Sequence, residues 1–147
     1  MSNHELAIAF VPPQQWNTVY DLPQAFKHGT LFPDLDKPFY ITENQNDASE
    51  PKLFPGSESD PCQKMLEQIS QVSFAADELR LYLDTHEHDT QALDMLRTVL
   101  KQKKALLSQF ATEYYPLTFA SMSDCGCEID NCYCWSKGPS PWEGACC

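Results

Sequence analysis

Seven cysteines stand in this chain of 147 residues, and six of them fall between Cys125 and Cys147. They form two CxC pairs, Cys125-Gly126-Cys127 and Cys132-Tyr133-Cys134, followed by the adjacent Cys146-Cys147. Thiols grouped in this way can ligate a metal, exchange electrons, or form disulfide cross-links. Four thiolates from Cys125, Cys127, Cys132 and Cys134 would hold zinc or copper, which is the metal alternative. Zinc knuckles, however, use CxxC turns that aim both sulfurs at one ion. In an extended chain CxC puts both side chains on one face, about 6.6 Å apart. That lies near the upper limit of Cα separation for a disulfide, and a vicinal pair closes on itself only with strain. The spacing therefore favours links between motifs or between chains, and no metal or other cofactor is expected. Cys62 stands far upstream, one turn into an apolar helical stripe. There it suits a small buried hydrophobe, although a helix N-terminus also lowers a thiol pKa. It is the seventh candidate for cross-linking.

Other candidates for chemistry are weaker. His86-Glu87-His88 offers two imidazoles at i and i+2, but lacks HExxH spacing and reads as a solvated turn. Asp77-Glu78 and Asp34/Asp36 are carboxylate pairs of the kind used in acid–base work. They fall on an expected exposed helix face and in a proline-bounded loop, where solvated charge is the simpler reading. The sequence contains no GxSxG, no glycine-rich phosphate loop and no Ser/His/Asp set. No catalytic residue is assigned, and the chain is not expected to be an enzyme.

The net charge of −11 sets up a field that repels phosphate backbones and anionic lipid. Nucleic acid is therefore not an expected partner. The start Met-Ser-Asn-His-Glu has no basic n-region, and the apolar run from Leu6 to Pro13 is too short to span a bilayer. Neither secretion nor membrane insertion is expected. Cytoplasmic thiols are kept reduced, which conflicts with disulfides at the time of synthesis.

The elements that must position these residues divide the chain into four parts. Residues 1–40 read as an extended N-terminal arm. Leu6 to Val11 is strand-like, Asp21 caps a short helix with Pro23 in its first turn, and Gly29 sits at the C-cap. Residues 41–59 are an acidic, proline-containing linker in which Leu53, Phe54 and Pro55 could dock locally. Residues 60–120 read as an antiparallel αα-hairpin. Asp60-Pro61-Cys62-Gln63 is a capped helix start, followed by an apolar stripe at Cys62, Met65, Ile69, Val72, Ala76, Leu79 and Leu83. Asp89 caps a second helix, with a stripe at Leu93, Leu96, Leu100, Lys103, Leu107, Phe110 and Tyr114 that ends before Pro116. The two helices are expected to be about 24 and 26 residues long, or roughly 36 and 39 Å. Apolar residues outside these stripes, including Leu66, Leu81, Tyr82, Val99 and Leu106, require a third surface: the arm, another copy, or another protein. Residues 121–147 are an irregular tail rich in cysteine and aromatic residues. The expected fold is thus mainly α.

Two stretches resemble two families of bacterial endospore coat proteins. "LAIAFVPPQQWNTVYDLPQAFKHGTLFPDLDKPF" is similar to CotJA: an apolar strand, Val11-Pro12-x-x-Gln15-Trp16, Tyr20-Asp21, then Gly29-Thr30-x-Phe32-Pro33-x-Leu35-Asp36-x-Pro38-Phe39. "FAADELRLYLDTHEHDTQAL" is similar to CotJB, through Leu81 to His86, Asp89, Ala92 and Leu93. Tyr114-Tyr115-Pro116-Leu117 and the ending with Tyr133, Trp135 and Trp142 extend that likeness. Glu87 replaces a turn proline of the pattern, the extra cysteines exceed it, and the two proteins are usually separate chains.

The resemblance implies a structural coat role beside a manganese-catalase-like protein and assigns no catalytic residue, and a self-assembling coat protein is the expectation. It also resolves the redox conflict. Thiols made reduced in the mother-cell cytoplasm and deposited in the coat can oxidise later, in place. Expected partners are copies of the chain in an oligomer, lattice, filament or cage. Expected contact residues are Trp16, Phe32, Phe39, Tyr133, Trp135 and Trp142. An alternative role is an adaptor that docks the catalase-like protein through Trp16 and residues 29–39.

Overall fold

The computed structural model describes residues 14–36, 60–126 and 133–140. The Leu6–Val11 run and the linker 41–59 lie outside the described residues. Within them the chain is helical, with no strand.

Helix α1 spans Leu22–His28. The Asp21 carboxylate accepts from Gln24 N at 2.9 Å, satisfying a donor that the first turn leaves open. Pro23 fits the first turn because it has no N–H to lose. Gly29 ends the helix at φ 76°, a left-handed conformation that favours glycine. A 3-10 turn follows at Pro33–Leu35.

Helices α2 (Pro61–Leu83) and α3 (Thr90–Glu113) pack against each other as the antiparallel hairpin. Both begin as the sequence predicts. Asp60 accepts from Cys62 N, and Asp89 accepts from Gln91 N and Ala92 N. Tyr114 ends α3 two residues before Pro116. Further 3-10 turns at Phe119–Asp124 and Cys134–Lys137 carry the described part of the tail.

The core falls in two clusters along the hairpin. One joins Val72, Ala75, Ala76, Leu79 and Tyr82 of α2 to Ala92 and Val99 of α3, and is completed by Ala25, Leu31 and Phe32 of the arm. The other, at the far end, joins Cys62 and Ile69 to Phe110, with Tyr114, Tyr115 and Leu117 packed around them. The third surface required by the hairpin is thus supplied by its own arm.

The α2 stripe lies at the interface as expected, and of the α3 stripe Leu96, Leu107, Phe110 and Tyr114 pack on the two cores, while at its middle the interface shifts by one residue. Val99 is buried, whereas Leu100 is 49% exposed. Ala92 and Val99 are smaller than the leucines beside them, so α3 approaches Ala75 and Ala76 closely on that side. Leu100 instead faces the turn at Phe119–Asp124, together with Lys103 and Ala120, and Leu107 borders the same turn while packing on the second core.

Candidate functional site

Two sites emerge: the seam between arm and hairpin, and the cysteine-closed tail.

At the seam, Trp16 and Phe32 insert against Tyr82. Trp16 meets Phe32 edge-on at 6.0 Å and lies 5.5 Å from Tyr82, while Phe32 stacks on Tyr82 at 5.2 Å. Such offset and edge-on contacts add to the burial of apolar area. Glu78, expected on a solvated face, is half-buried instead. Its Oε2 accepts from the Thr30 hydroxyl at 3.1 Å and from Leu31 N at 3.3 Å. Thr30 Oγ1 in turn accepts from Phe32 N at 3.1 Å. Glu78 therefore satisfies the turn that delivers Leu31 and Phe32 into the core. The local sequence carries no signal for this role, because the donors are contributed by a distant segment.

The arm also braces itself. Tyr20 N donates to Leu31 O at 2.9 Å, closing a loop around α1. The Tyr20 ring stacks on His28, and both side chains reach Asp36, at 3.1 and 3.0 Å. Burial pushes the Tyr20 hydroxyl above its ordinary pKa, and the hydrogen bond and charge of Asp36 push it the same way.

The hairpin turn is part of this seam. Tyr82 donates to Asp89 Oδ2 at 2.9 Å, so the residue that caps α3 is also tied to α2. His86 stacks on Tyr82 at 4.2 Å and nearly parallel, so it is a packed turn residue rather than a solvated one. Burial raises the Tyr82 pKa, assisted by the hydrogen bond and charge of Asp89 and opposed by a backbone hydrogen bond from Trp16. At Asp89 burial acts upward. It is outweighed by hydrogen bonds from Ala92 N–H, Tyr82 O–H and Gln91 N–H and by His86, so the pKa falls below its ordinary value.

In the tail, Cys125 and Cys134 are joined by a disulfide with Cα atoms 6.6 Å apart, within the range such bridges span. The bond links the two CxC motifs within one chain. Thr112 Oγ1 donates to Asp124 O at 3.1 Å, and a Thr118–Ser121 capping box fixes the intervening turn, so the bridge is seated on the end of α3. Cys62 is buried and takes part in a disulfide as well, beyond the hydrophobic role its stripe position suggests. Cys127, Cys132, Cys146 and Cys147 lie outside the described residues, as do Phe39 and Trp142. Among the described residues no cluster of three or more His, Cys, Asp or Glu is placed to hold a metal. Two of the four candidate thiolate ligands lie outside that set.

The expected contact residues divide into two groups. Trp16 and Phe32 face the hairpin. Tyr133 and Trp135 stand 65% and 46% exposed beside the disulfide, and Phe119, which the sequence did not single out, is 82% exposed. No described helix is long and apolar enough to cross a membrane.

No curated protein and no solved structure matches the chain. Two family models do. Residues 5–39 match the spore coat associated protein JA (CotJA), and residues 63–143 match the CotJB protein. The first covers the arm that carries Trp16 and Thr30–Phe32, and the second the hairpin that receives them. Both are families of the spore coat, and families of this kind are generally structural. With the second match spanning more than half of its length, the chain belongs to the CotJB family of spore coat proteins and carries a CotJA segment at its N-terminus.

Proposed function

We propose that this spore coat protein is a non-enzymatic building block that associates with copies of itself and is fastened through its tail cysteines. In this reading it is made in the mother cell with its thiols reduced, and they oxidise after deposition. The observation that supports it best is the end of the molecule around Cys125–Cys134. There Phe119, Tyr133 and Trp135 are presented to solvent beside a cysteine-rich segment. Exposed aromatic groups of this size mark contact surfaces. Cysteine parity points the same way. Seven thiols cannot all pair within one chain, so at least one is left that a neighbour's thiol can join. Covalent links between subunits would make loss of a subunit slow, which suits a durable shell.

The test is to denature assembled material with and without reductant and separate it by size. A ladder of multimers that collapses to monomer only with reductant is expected. Monomer in both lanes would overturn the fastening, and near-stoichiometric metal retained through dialysis would move a thiolate metal site to first place.

A further inference from the structure

Two separate family models meet in this one chain, and the residues they match are seated on each other. The contact has the features of a recognition surface. Leu31 and Ala25 are fully buried and Phe32 is 3% exposed, all against Val72, Ala75, Ala76, Leu79 and Tyr82 of the hairpin. At the turn that enters the core, Glu78 receives both the Thr30 hydroxyl and Leu31 N. The arm is braced by bonds of its own that do not involve the hairpin: the Tyr20–Leu31 backbone bond, the Tyr20–Asp36 bond and the α1 caps. Preorganisation reduces the ordering cost of association. The contacts between arm and hairpin are non-covalent and join residues 14–36 to α2 and α3.

We infer that the hairpin face beneath residues 14–36 is a docking surface for a CotJA-type segment supplied by a separate polypeptide. The inference stands apart from the cysteine fastening, since no contact in the seam between residues 14–36 and this face uses a thiol. Within this chain the connection through residues 37–59 keeps the face occupied. A tether sets an effective concentration on the order of millimolar, so a free segment at micromolar concentration cannot compete. Severing the tether removes that advantage and leaves the interface to hold on its own affinity.

The experiment uses the full chain with a protease site placed within residues 41–59. After cleavage, the N-terminal piece is expected to co-migrate with the hairpin at high concentration and to leave on dilution, with helicity unchanged. A labelled peptide of residues 14–36 should then bind the cleaved chain at least roughly tenfold more tightly than the intact chain, whose face is filled. The same peptide carrying Phe32→Asp should bind roughly ten- to a hundredfold more weakly, the loss expected for one aromatic anchor. Equal binding to intact and cleaved chain would place the peptide on another surface and overturn the inference. Loss of helicity when the piece departs would overturn it too, because the hairpin would then be unable to stay folded as a separate receptor for the arm. Dimerisation of the cleaved chain in place of peptide uptake would make a second copy the occupant and likewise sink it.

Discussion

Glu78 on α2 holds Thr30 of the arm, its Oε2 3.1 Å from the Thr30 hydroxyl, across 48 residues of sequence. The same oxygen receives Leu31 N, so one carboxylate fixes the backbone turn at which the chain enters the core. Arm and hairpin are therefore registered by a polar clasp as well as by apolar burial.

Removing the clasp should loosen the arm while leaving the hairpin helical. Hydrogen bonds to a charged group contribute about 1.5–3 kcal/mol, and an orphaned buried N–H adds its own cost, so Glu78→Ala should destabilise by about 2 kcal/mol. Glu78→Gln keeps an acceptor oxygen and should lose less. Denaturant midpoints check the ranking, and amide exchange should show Leu31 losing protection first. Equal midpoints for Glu78→Ala and the parent would remove Glu78 from the account.

The register of α3 gives a second contrast. Phe110 is completely buried between α2 and the Tyr114 and Tyr115 rings, so Phe110→Ala should cost about 3–5 kcal/mol. Leu100 is half exposed, and Leu100→Ala should change stability by no more than about 1 kcal/mol. Leu96, packed on the main core, should not tolerate aspartate, since an unpaired buried charge costs several kcal/mol. Thermal unfolding of the three variants checks the order. A Leu100→Ala variant as damaged as Phe110→Ala would put Leu100 in the seam in place of Val99.

That contrast also shows where the sequence was readable. Caps at Asp21, Asp60 and Asp89, and the glycine at position 29, are local devices, and each helix starts or ends where they stand. The α3 face was ambiguous because two apolar rows run side by side, one through Ala92, Val99 and Leu106 and one through Leu93, Leu100 and Leu107. Size favours the leucines, but close packing on Ala75 and Ala76 favours the smaller row. Glu78 was illegible for a different reason. Its partners lie in the arm, and no local pattern reveals which exposed carboxylate a distant segment will cover. In the tail, the CxC spacing left links between motifs open, and Cys125–Cys134 is such a link.

Acid should weaken the hairpin turn. The Asp89 carboxyl is held below its ordinary value of 3.8 by hydrogen bonds that outweigh the upward pull of burial. A lowered folded pKa means that the unfolded chain binds the proton more readily. The contribution of Asp89 is thus complete above the unfolded value and is lost as pH falls below it, through the folded value. Tyr82 behaves in the opposite sense: its pKa is raised above 10.0, so its contribution is complete below that value and fades as pH rises through the higher folded one. Tyr82→Phe should reduce the alkaline loss, leaving the part due to Tyr20, and soften the acid one, since Asp89 loses a donor. Stability measured from pH 2 to 11 for both proteins checks this. An unchanged acid limb in Asp89→Asn would exclude Asp89 as its source.

The last prediction concerns the bridge between the CxC motifs. Cys125 and Cys134 are nine residues apart, and closing a loop of that size restricts the unfolded chain by about 2–3 kcal/mol. The folded side is also built for it. The turn before Cys125 is anchored on α3 through Thr112 and Asp124 O, while Gly138 beyond Cys134 lies so close to Tyr115 that an added Cβ would come within 2.7 Å of the ring. Reduction should therefore free the 133–140 segment while the hairpin, held by its own core, stays helical. Cys134→Ser should lower the thermal midpoint modestly and make the chain susceptible to proteolysis after Lys137, with cleavage after Lys103 and Lys104 unchanged. Peptide mapping under non-reducing conditions should recover a Cys125–Cys134 cross-linked fragment. Recovery of Cys125 only in fragments joined between chains would mean that the assembled coat replaces this bridge with intermolecular ones.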